Sequence, residues 1–340
     1  MDPISQGAFG AVAGALVSDR KNLRKATLVS WAAGMLADAD IFISSKTDPL
    51  LNIEFHRHFS HSLLWIPLGA LICSGLFWLL TRKWWRMPFR QLYLFSFAGY
   101  ATAGLLDACT SYGTRLWWPF SDQRVAWNII SIIDPIFTLT LLIAIVVGLW
   151  KTRPVWPRLG FVFALCYLSF GLVQRNLTAE IQTNLAEQRG HTKIDMATVK
   201  PSIGNLILWR SIYRHNDRFY VDAIRTGLNA EPIVYEGTSV DAITLNEMSQ
   251  GIEGSVLASD LDRFNHFSDG YLAYYPENPN VIGDLRYALL PQSVLPLWGI
   301  RIDQERPDQH VPFENFREIS EEDRQRLIRM LRGQSELTEQ

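Results

Sequence analysis

Three of the seven histidines in this chain fall within six residues, at His56, His58 and His61. An acidic pair, Asp38 and Asp40, precedes them. Imidazole and carboxylate groups together suit zinc, manganese or iron. A cation held by such ligands with one position left open lowers the pKa of water towards neutrality, and the chemistry that this enables is hydrolysis. The residue types therefore indicate a divalent metal site, with zinc as the first candidate.

The polar residues around this cluster each have a functional and a simpler interpretation. Residues two apart on a helix do not share a face, so at most one of Asp38 and Asp40 is a direct ligand. The other acts as general base or orients a histidine, unless the pair is only a solvated helix end. Asp107 either binds the metal or hydrogen-bonds between helices. Arg57 either anchors anionic lipid or stabilises negative charge on a substrate.

These interpretations lead to one set of predicted site residues. The predicted metal ligands are His56, His61, Asp40 and Asp107. The predicted catalytic residues are Asp38, Asp40 and Arg57. The simpler alternative for the histidines is an interfacial cluster that contacts lipid headgroups.

Membrane helices must position these residues. The hydrocarbon core of a bilayer is crossed by about 20 consecutive apolar residues in a helix. The stretches long and apolar enough are Ser62 to Thr81, Gln91 to Thr110, Ile129 to Trp150 and Leu159 to Gln174. A fifth stretch, Ala26 to Ser44, is apolar but contains the acidic pair. A short helix capped by Asp2, with Pro3 at its first position, precedes it.

Basic residues indicate the orientation of these helices. They concentrate in the turns at residues 20–25, 82–90 and 151–158, and they are fewer in the alternating turns at 45–61 and 111–128. The excess of Lys and Arg predicts that the first set faces the cytoplasm. The histidine loop, the ends of the helices that carry the aspartates, and the C-terminal region are then predicted on the outer side of a bacterial inner membrane.

The second half of the chain has a different character. From Asn176 onward no segment is apolar enough to span a membrane, and short β-prone runs such as Arg218 to Ile224 and Pro232 to Tyr235 alternate with turns. Glu318 to Arg332 has apolar residues at helical spacing. The predicted fold is an α-helical polytopic membrane domain, residues 1–175, followed by a soluble α+β domain, residues 176–340.

Charge excludes one class of function. The chain has 32 basic and 34 acidic residues and a net charge of -2. No strongly basic domain is present to attract phosphate at long range, so nucleic acid is not an expected partner. The expected partner is membrane lipid.

Several short motifs together resemble a known family. The motifs are Met1-Asp-Pro-Ile-Ser-Gln6, Ala37-Asp-Ala-Asp40, His56-Arg-His-Phe-Ser-His-Ser-Leu63, Leu106-Asp-Ala-Cys-Thr-Ser-Tyr-Gly113, Trp118-Pro-Phe-Ser121 and Asp134-Pro135. In type and order they resemble the YdjM-type membrane-bound metal-dependent hydrolases, which are inner-membrane-associated proteins. The resemblance implies metal-dependent hydrolysis and names no substrate.

The chain departs from the pattern of that family at a few positions. A histidine often precedes the Leu-Asp pair, where this chain has Ala103 and Gly104, and His58 stands where many members have glycine. Two alternatives follow. Either the metal is held by His56, His61, Asp107 and one of the acidic pair, or a ligand and the activity have been lost.

Position suggests the class of substrate. A site at headgroup depth reaches lipid esters, phosphoesters or other amphiphilic envelope molecules more readily than cytoplasmic metabolites. The competing hypotheses are a non-catalytic membrane scaffold and a metal-sensing regulator. A transporter is disfavoured, because its acidic residues are expected near the middle of the bilayer rather than at one end.

Overall fold

The computed structural model describes residues 1–227, 231–276 and 278–334. They divide into two compact units. The first contains Met1–Phe42, Phe55–Val173 and Ile203–Leu206, and the second contains Ile43–Glu54, Gln174–Ser202 and Ile207–Gln340. Helices dominate the first unit and antiparallel sheets the second, which confirms the predicted fold class.

Helices of different lengths precede the first strand. They are α1 (Pro3–Leu16), α2 (Leu23–Leu36), the short α3 (Leu51–Phe55), α4 (Ile66–Trp85), α5 (Phe89–Cys109), α6 (Pro135–Lys151) and α7 (Val155–Gln188). Within the described part of the chain, three helical segments are long and apolar enough to cross a membrane: Leu63–Trp85, Phe89–Cys109 and Val155–Gln188. Most of the first and third remains exposed, as expected of surfaces that face lipid.

The ends of these helices follow from local sequence. The carboxylate of Asp2 accepts a hydrogen bond from the backbone N–H of Ser5, which confirms the predicted cap of α1. Asp134 caps α6 in the same way through Phe137. Because a residue before proline avoids the helical region, α6 begins at Pro135 rather than at Ile129. Its 17 residues make it shorter than the predicted span.

Glycines allow α1, α2 and α5 to pack with their backbones in contact. A Cβ at Gly10 of α1 would lie 2.6 Å from the carbonyl oxygen of Ser30 on α2, and a Cβ at Gly99 of α5 would lie 2.2 Å from the same oxygen. Small residues at helix crossings are typical of membrane bundles, where van der Waals contact drives association. This close packing holds together the three helices whose ends reach the candidate site.

The second unit contains two antiparallel sheets. Its strands are β1 (Met196–Pro201), β2 (Leu208–His215), β3 (Arg218–Arg225), β4 (Ile233–Tyr235), β5 (Ser239–Asp241), β6 (Leu272–Tyr275), β7 (Asn278–Asp284), β8 (Trp298–Arg301) and β9 (Phe313–Asn315). One sheet has the order β1-β2-β3-β4 with β5 also paired to β3, and the other has the order β6-β7-β8-β9. The helices are α8 (Leu245–Met248), α9 (Val256–Phe267) and α10 (Glu321–Arg332). The predictions of β3, β4 and α10 are confirmed.

A buried arginine fixes one loop of this unit. Arg210 of β2 is almost fully enclosed. Its guanidinium donates to the carbonyl oxygens of Leu285, Pro291 and Ser293, each at 2.7 Å. Charge-assisted hydrogen bonds of this kind are stronger than neutral ones. Arg210 therefore ties the loop after β7 to the first sheet.

Candidate metal centre

Three elements of the first unit bring one imidazole and two carboxylates together. Asp38 lies in a 3-10 turn, Ala37–Phe42, that continues α2. His61 ends a second 3-10 turn, Phe59–His61, and Asp107 lies in the last turn of α5. One potential ligand atom from each side chain lies within 4.8 Å of the others. His61 and Asp107 are buried, and Asp38 is partly exposed.

The spacing of these atoms fits a metal ion. Nε2 of His61 is 3.1 Å from Oδ1 of Asp38 and 3.1 Å from Oδ2 of Asp107. Ligands about 2.1 Å from an ion are about 3.4 Å apart in tetrahedral geometry and about 3.0 Å apart in octahedral geometry. Both separations from Nε2 of His61 fall within this range, and the two carboxylate oxygens lie within 4.8 Å of each other.

Asp40 contacts the opposite edge of the same imidazole. Its Oδ2 lies 3.1 Å from Nδ1 of His61 and accepts hydrogen bonds from the hydroxyl of Ser60 at 2.6 Å and the backbone N–H of Arg57 at 2.9 Å. Burial alone would raise the pKa of Asp40, but hydrogen bonds from His56, His61 and Ser60 outweigh it and lower the pKa below its usual range. Asp38 and Asp40 therefore contact different nitrogens of one imidazole ring. A metal-binding histidine commonly hydrogen-bonds a carboxylate through its second nitrogen, and Asp40 is in that position.

The same contacts determine the charge of His61. Burial opposes a charged imidazole and lowers its pKa, but hydrogen bonds to Asp107, Asp38 and Asp40 outweigh this effect and raise the pKa to about 10. In the metal-free protein at neutral pH, His61 is therefore an imidazolium held by carboxylates. A divalent cation would replace that proton as the positive charge between them.

Gly104 sets the position of His61. A Cβ at this residue would lie 2.1 Å from the carbonyl oxygen of His61. One turn earlier in the same helix, the hydroxyl of Tyr100 donates to the carbonyl oxygen of Ser60 at 2.8 Å. Both residues belong to α5, which also carries Asp107 three residues after Gly104. One helix thus holds the histidine loop and supplies a carboxylate to it.

Arg57 faces the protein rather than open solvent. Its Nε lies 3.1 Å from Oδ2 of Asp107, and its Nη1 donates to the hydroxyl of Thr110 at 2.8 Å. The amino group of Met1 also contacts Asp107. The guanidinium of Arg57 counterbalances the buried carboxylate. Whether Arg57 also stabilises charge on a substrate stays a prediction.

The other two histidines of the loop have different surroundings. His56 hydrogen-bonds through Nδ1 to Oδ1 of Asp40 at 2.9 Å, and its side chain is 20% exposed. His58 contacts Nη1 of Arg115 through Nε2 and packs against Trp118. Neither belongs to the three-residue group. Metal binding by His56 and Asp40 stays a prediction, with Asp40 positioned to orient both His56 and His61.

Gln6 is a neighbour of this centre that the predicted ligand set omits. Its side chain is fully buried and donates from Nε2 to Oδ1 of Asp38 at 3.3 Å. Among the described residues, its Oε1 has no hydrogen-bond partner. A buried amide oxygen without a partner costs free energy unless a cation or water meets it. The signal in the sequence was a polar pair, Ser5 and Gln6, in a helix that is otherwise apolar.

A second group of potential ligands lies in the second unit. Asp48, Asp260 and His310 place ligand atoms within 4.8 Å of one another. The guanidinium of Arg263 already donates to Asp48, Asp260 and Glu54 at 2.9 to 3.1 Å. Nδ1 of His310 is 2.9 Å from Oδ2 of Asp260. The guanidinium of Arg263 thus already supplies the positive charge in this group, which is an ion-pair network.

Comparisons with known proteins agree with this architecture. Residues 1–178 match the YdjM inner membrane protein family. The chain is similar to inner membrane protein YbcI of Escherichia coli (strain K12), with 31% identity over 102 residues, 29% of this chain and 57% of the relative. It is also similar to the uncharacterized protein YfhP of Bacillus subtilis (strain 168), with 23% identity over 221 residues, 64% of each chain.

These relatives are matched over only part of their length. The chain spans 57% of one and 64% of the other. No solved structure matches the chain. The family match covers just over half of the sequence and, together with the apolar helices, indicates an inner membrane location. The chain belongs to the YdjM inner membrane protein family.

Proposed function

We propose that this member of the YdjM family is a metal-dependent hydrolase that cleaves an ester or phosphoester at the outer surface of the inner membrane. The observation that carries the proposal is the group formed by Asp38, His61 and Asp107. Three elements distant in sequence deliver donor atoms at the spacing of ligands around one ion. Gln6 donates to Asp38 beside this group, and among the described residues its Oε1 is buried without a hydrogen-bond partner.

The residues around the centre divide the chemical work. A bound divalent ion, for which zinc, manganese and iron are candidates, would polarise the ester oxygen and lower the pKa of water. Asp40 holds Nδ1 of His61 and so keeps Nε2 directed at the two carboxylates. His56 is bonded to Asp40 through Nδ1 and partly exposed, so its other nitrogen can accept or donate a proton. Arg57 supplies positive charge beside Asp107.

The orientation of the site is part of the proposal. The basic turns at residues 82–90 and 151–158 are expected in the cytoplasm, which would expose the segment 111–128 on the outer side. A cysteine introduced at Gln123 should react with a membrane-impermeant thiol reagent in spheroplasts. A cysteine at Arg86 should not. The reverse labelling pattern would place the site on the cytoplasmic side.

Metal content and turnover test the function directly. The full chain purified in mild detergent should contain close to one divalent ion, and it should hydrolyse p-nitrophenyl esters or bis(p-nitrophenyl) phosphate. His61→Ala and treatment with a chelator should remove both properties. His266→Ala, which changes an exposed histidine of the second unit, should leave both unchanged.

One observation favours a non-catalytic alternative. The guanidinium of Arg57 already lies 3.1 Å from Asp107, so the buried carboxylate has a positive partner without a metal. A scaffold would then contain no tightly bound ion and show no turnover. A tightly bound ion without turnover would instead indicate a metal-sensing regulator.

A further inference from the structure

The second unit contains a cavity of about 300 Å³. It is lined by the loop that connects β7 to β8, the end of β6, the residues around the end of β9 and the first turn of α10. Pockets that bind small molecules begin at about this volume, and they combine an apolar lining with a few polar groups. None of the lining residues belongs to the candidate metal centre. The cavity is therefore a separate candidate for ligand binding.

Part of the lining is aromatic and aliphatic. The rings of Tyr275 and Phe316 lie 4.5 Å apart at an interplanar angle of 36°. Tyr275 ends β6 and Phe316 directly follows β9, so side chains from the two outer strands of one sheet meet at the cavity. The aliphatic residues of the lining are Leu289, Leu290, Leu295 and Pro296. Such a lining can enclose a small apolar body, and the negative face of an aromatic ring attracts a cation.

The polar part of the lining is acidic. Its residues are Ser293, Asn315, Glu318 and Asp323. Among the described residues that line the cavity, none is basic. Arg317, which precedes Glu318 in the chain, places its guanidinium over the ring of Trp298, 5.7 Å from the centroid. The two carboxylates therefore favour a cationic ligand and disfavour an anionic one.

Hydrogen bonds within the protein hold two parts of the lining in place. Nη1 of Arg210 donates to the carbonyl oxygen of Ser293 at 2.7 Å, which fixes the loop between β7 and β8. Oδ2 of Asp323 accepts from the hydroxyl of Ser320 at 2.7 Å and from the backbone N–H of the same residue at 3.3 Å, which caps α10. The other oxygen of Asp323, Oδ1, takes no part in this cap. Because a preformed site has less conformational freedom to lose, it binds a ligand at a smaller entropic cost.

We propose that this cavity binds a small organic cation, in which an ammonium group is attached to an apolar body. The apolar body would lie against Tyr275, Phe316 and the leucines. The ammonium group would lie between these rings and the carboxylates of Glu318 and Asp323. An ammonium group donates three hydrogen bonds, and the polar part of the lining supplies acceptors for them. The proposal does not rest on the proposed function, because it uses no residue of the metal centre.

Three probes with the same phenyl body and different charges test the preference for a cation. They are phenethylamine, the neutral 2-phenylethanol and the anionic 3-phenylpropanoate, each titrated at pH 7 into the full chain in phosphatidylcholine nanodiscs. Binding is followed by saturation-transfer NMR, and empty nanodiscs provide the blank because the probes partition into lipid. Phenethylamine should bind about 10-fold or more tightly than 3-phenylpropanoate, because two carboxylates each contribute up to about fivefold.

The affinity of 2-phenylethanol should lie between those of the two charged probes. Equal affinities or the reverse order would overturn the proposal. So would the absence of phenethylamine binding at about 10 mM, which is the weakest affinity expected of a ligand with nine heavy atoms.

Removal of one carboxylate at a time identifies the groups that bind the cation. Glu318→Gln and Asp323→Asn should each weaken phenethylamine binding about two- to fivefold, the usual effect of a partly exposed ion pair, with 2-phenylethanol binding unchanged. Asp323→Asn keeps an oxygen that can accept from Ser320, so the cap of α10 is retained. Glu321→Gln, which removes an exposed carboxylate of the same helix outside the cavity, is the matched control. If both lining variants bind phenethylamine as tightly as the control does, the proposal is overturned.

A positive charge placed in the lining should reverse the preference. Leu295 lines the cavity and is 38% exposed, so a lysine can be accommodated there with its charge in water. Leu295→Lys should weaken phenethylamine binding about fivefold and tighten 3-phenylpropanoate binding. Ile328→Lys, at an exposed apolar residue of α10 outside the cavity, should change neither. Leu295→Lys leaves the cap of α10 intact, so it tests the cavity even if Asp323→Asn does not fold. If Leu295→Lys leaves both affinities unchanged, the probes bind elsewhere and the proposal is overturned.

Discussion

The close approach of Gly104 to the histidine loop allows a test of the site that removes no ligand. In Gly104→Ala the new Cβ would lie 2.1 Å from the carbonyl oxygen of His61. Comfortable contacts between heavy atoms are about 3.5 Å or longer, so the loop and α5 must separate by more than about 1 Å. Because Asp107 follows Gly104 by three residues on the same helix, the displacement changes the 3.1 Å separation between Nε2 of His61 and Asp107.

The expected loss can be bounded from the cost of overpacking. Inserting a methyl group into a closely packed site typically costs about 1–3 kcal/mol. If the metal binds only the undistorted arrangement, its affinity should fall by about 10- to 100-fold. Turnover should fall with it, since hydrolytic groups lose efficiency when misplaced by about 1 Å.

The assay is competition for zinc against a chromogenic chelator, with the full chain in detergent. Gly75→Ala is the matched control, because a Cβ at this position of α4 meets nothing within 4 Å. It should retain wild-type affinity and melting temperature. If Gly104→Ala also retains wild-type zinc affinity while His61→Ala abolishes binding, the close approach does not set the geometry of the centre.

Three further outcomes are expected. Asp40→Asn should weaken zinc binding about 10- to 100-fold in the same competition assay, because the Asp40 carboxylate orients His61 through Nδ1. A loss as complete as that of His61→Ala would contradict this supporting role. Because the pKa of His61 is raised from 6.5 to about 10, its charge stabilises the metal-free protein fully below pH 6.5, and that stability is lost as the pH rises through about 10. Metal binding should therefore release a proton, which calorimetry in buffers of different ionisation enthalpy measures. Zinc affinity should also rise by up to about tenfold per pH unit below pH 10. Zinc affinity that does not depend on pH would exclude this linkage. Arg210→Met should destabilise the second unit by about 3 kcal/mol or more in thermal unfolding, because several buried carbonyls lose a charged donor, whereas Arg214→Met, at the edge of the same strand, should have little effect.

Some features of the fold could be read from sequence because they depend on local chemistry. The cap formed by Asp2 and Pro3 needs only a side-chain acceptor and a residue with fixed φ. The apolar spans need only hydropathy, and β3 needs only a run of β-prone residues. In each case neighbours in the chain supply the decisive interaction. The bounds of α4, α5 and β3 were predicted within a few residues, whereas α6 begins six residues later than predicted and α7 continues to Gln188 rather than ending at Gln174.

Other boundaries depend on contacts that a linear pattern does not display. The helix predicted to run from Ala26 to Ser44 is α-helical only to Leu36 and then tightens into the 3-10 turn that carries Asp38 and Asp40. Hydropathy does not distinguish an α-helix from a 3-10 helix. The division of the chain into units differs from a single break after residue 175 in a similar way, because Ile43–Glu54 packs with the second unit.

The candidate centre was foreseen in composition more than in arrangement. The density of histidine and aspartate pointed to the region where Asp38, His61 and Asp107 meet. Because residues two apart do not share a helix face, Asp38 and Asp40 were expected to have different contacts. Spacing alone could not say that they approach opposite nitrogens of His61. The role of Gly104 was also beyond reach, since a glycine in a helix reveals close packing only when the opposing backbone is known.

The contacts of Asp38 and Asp40 with the imidazole of His61 restrict how the Asp-Ala-Asp motif can vary. Ala39, between them, is exposed, so many side chains could replace it without touching the histidine. Ala37, just before them, is fully enclosed and must stay small. A single inserted or deleted residue between the aspartates would rotate one of them by about 120° around a 3-10 turn and detach it from the ring. The residue between the aspartates should therefore tolerate substitution, whereas an insertion or deletion between them should not be tolerated.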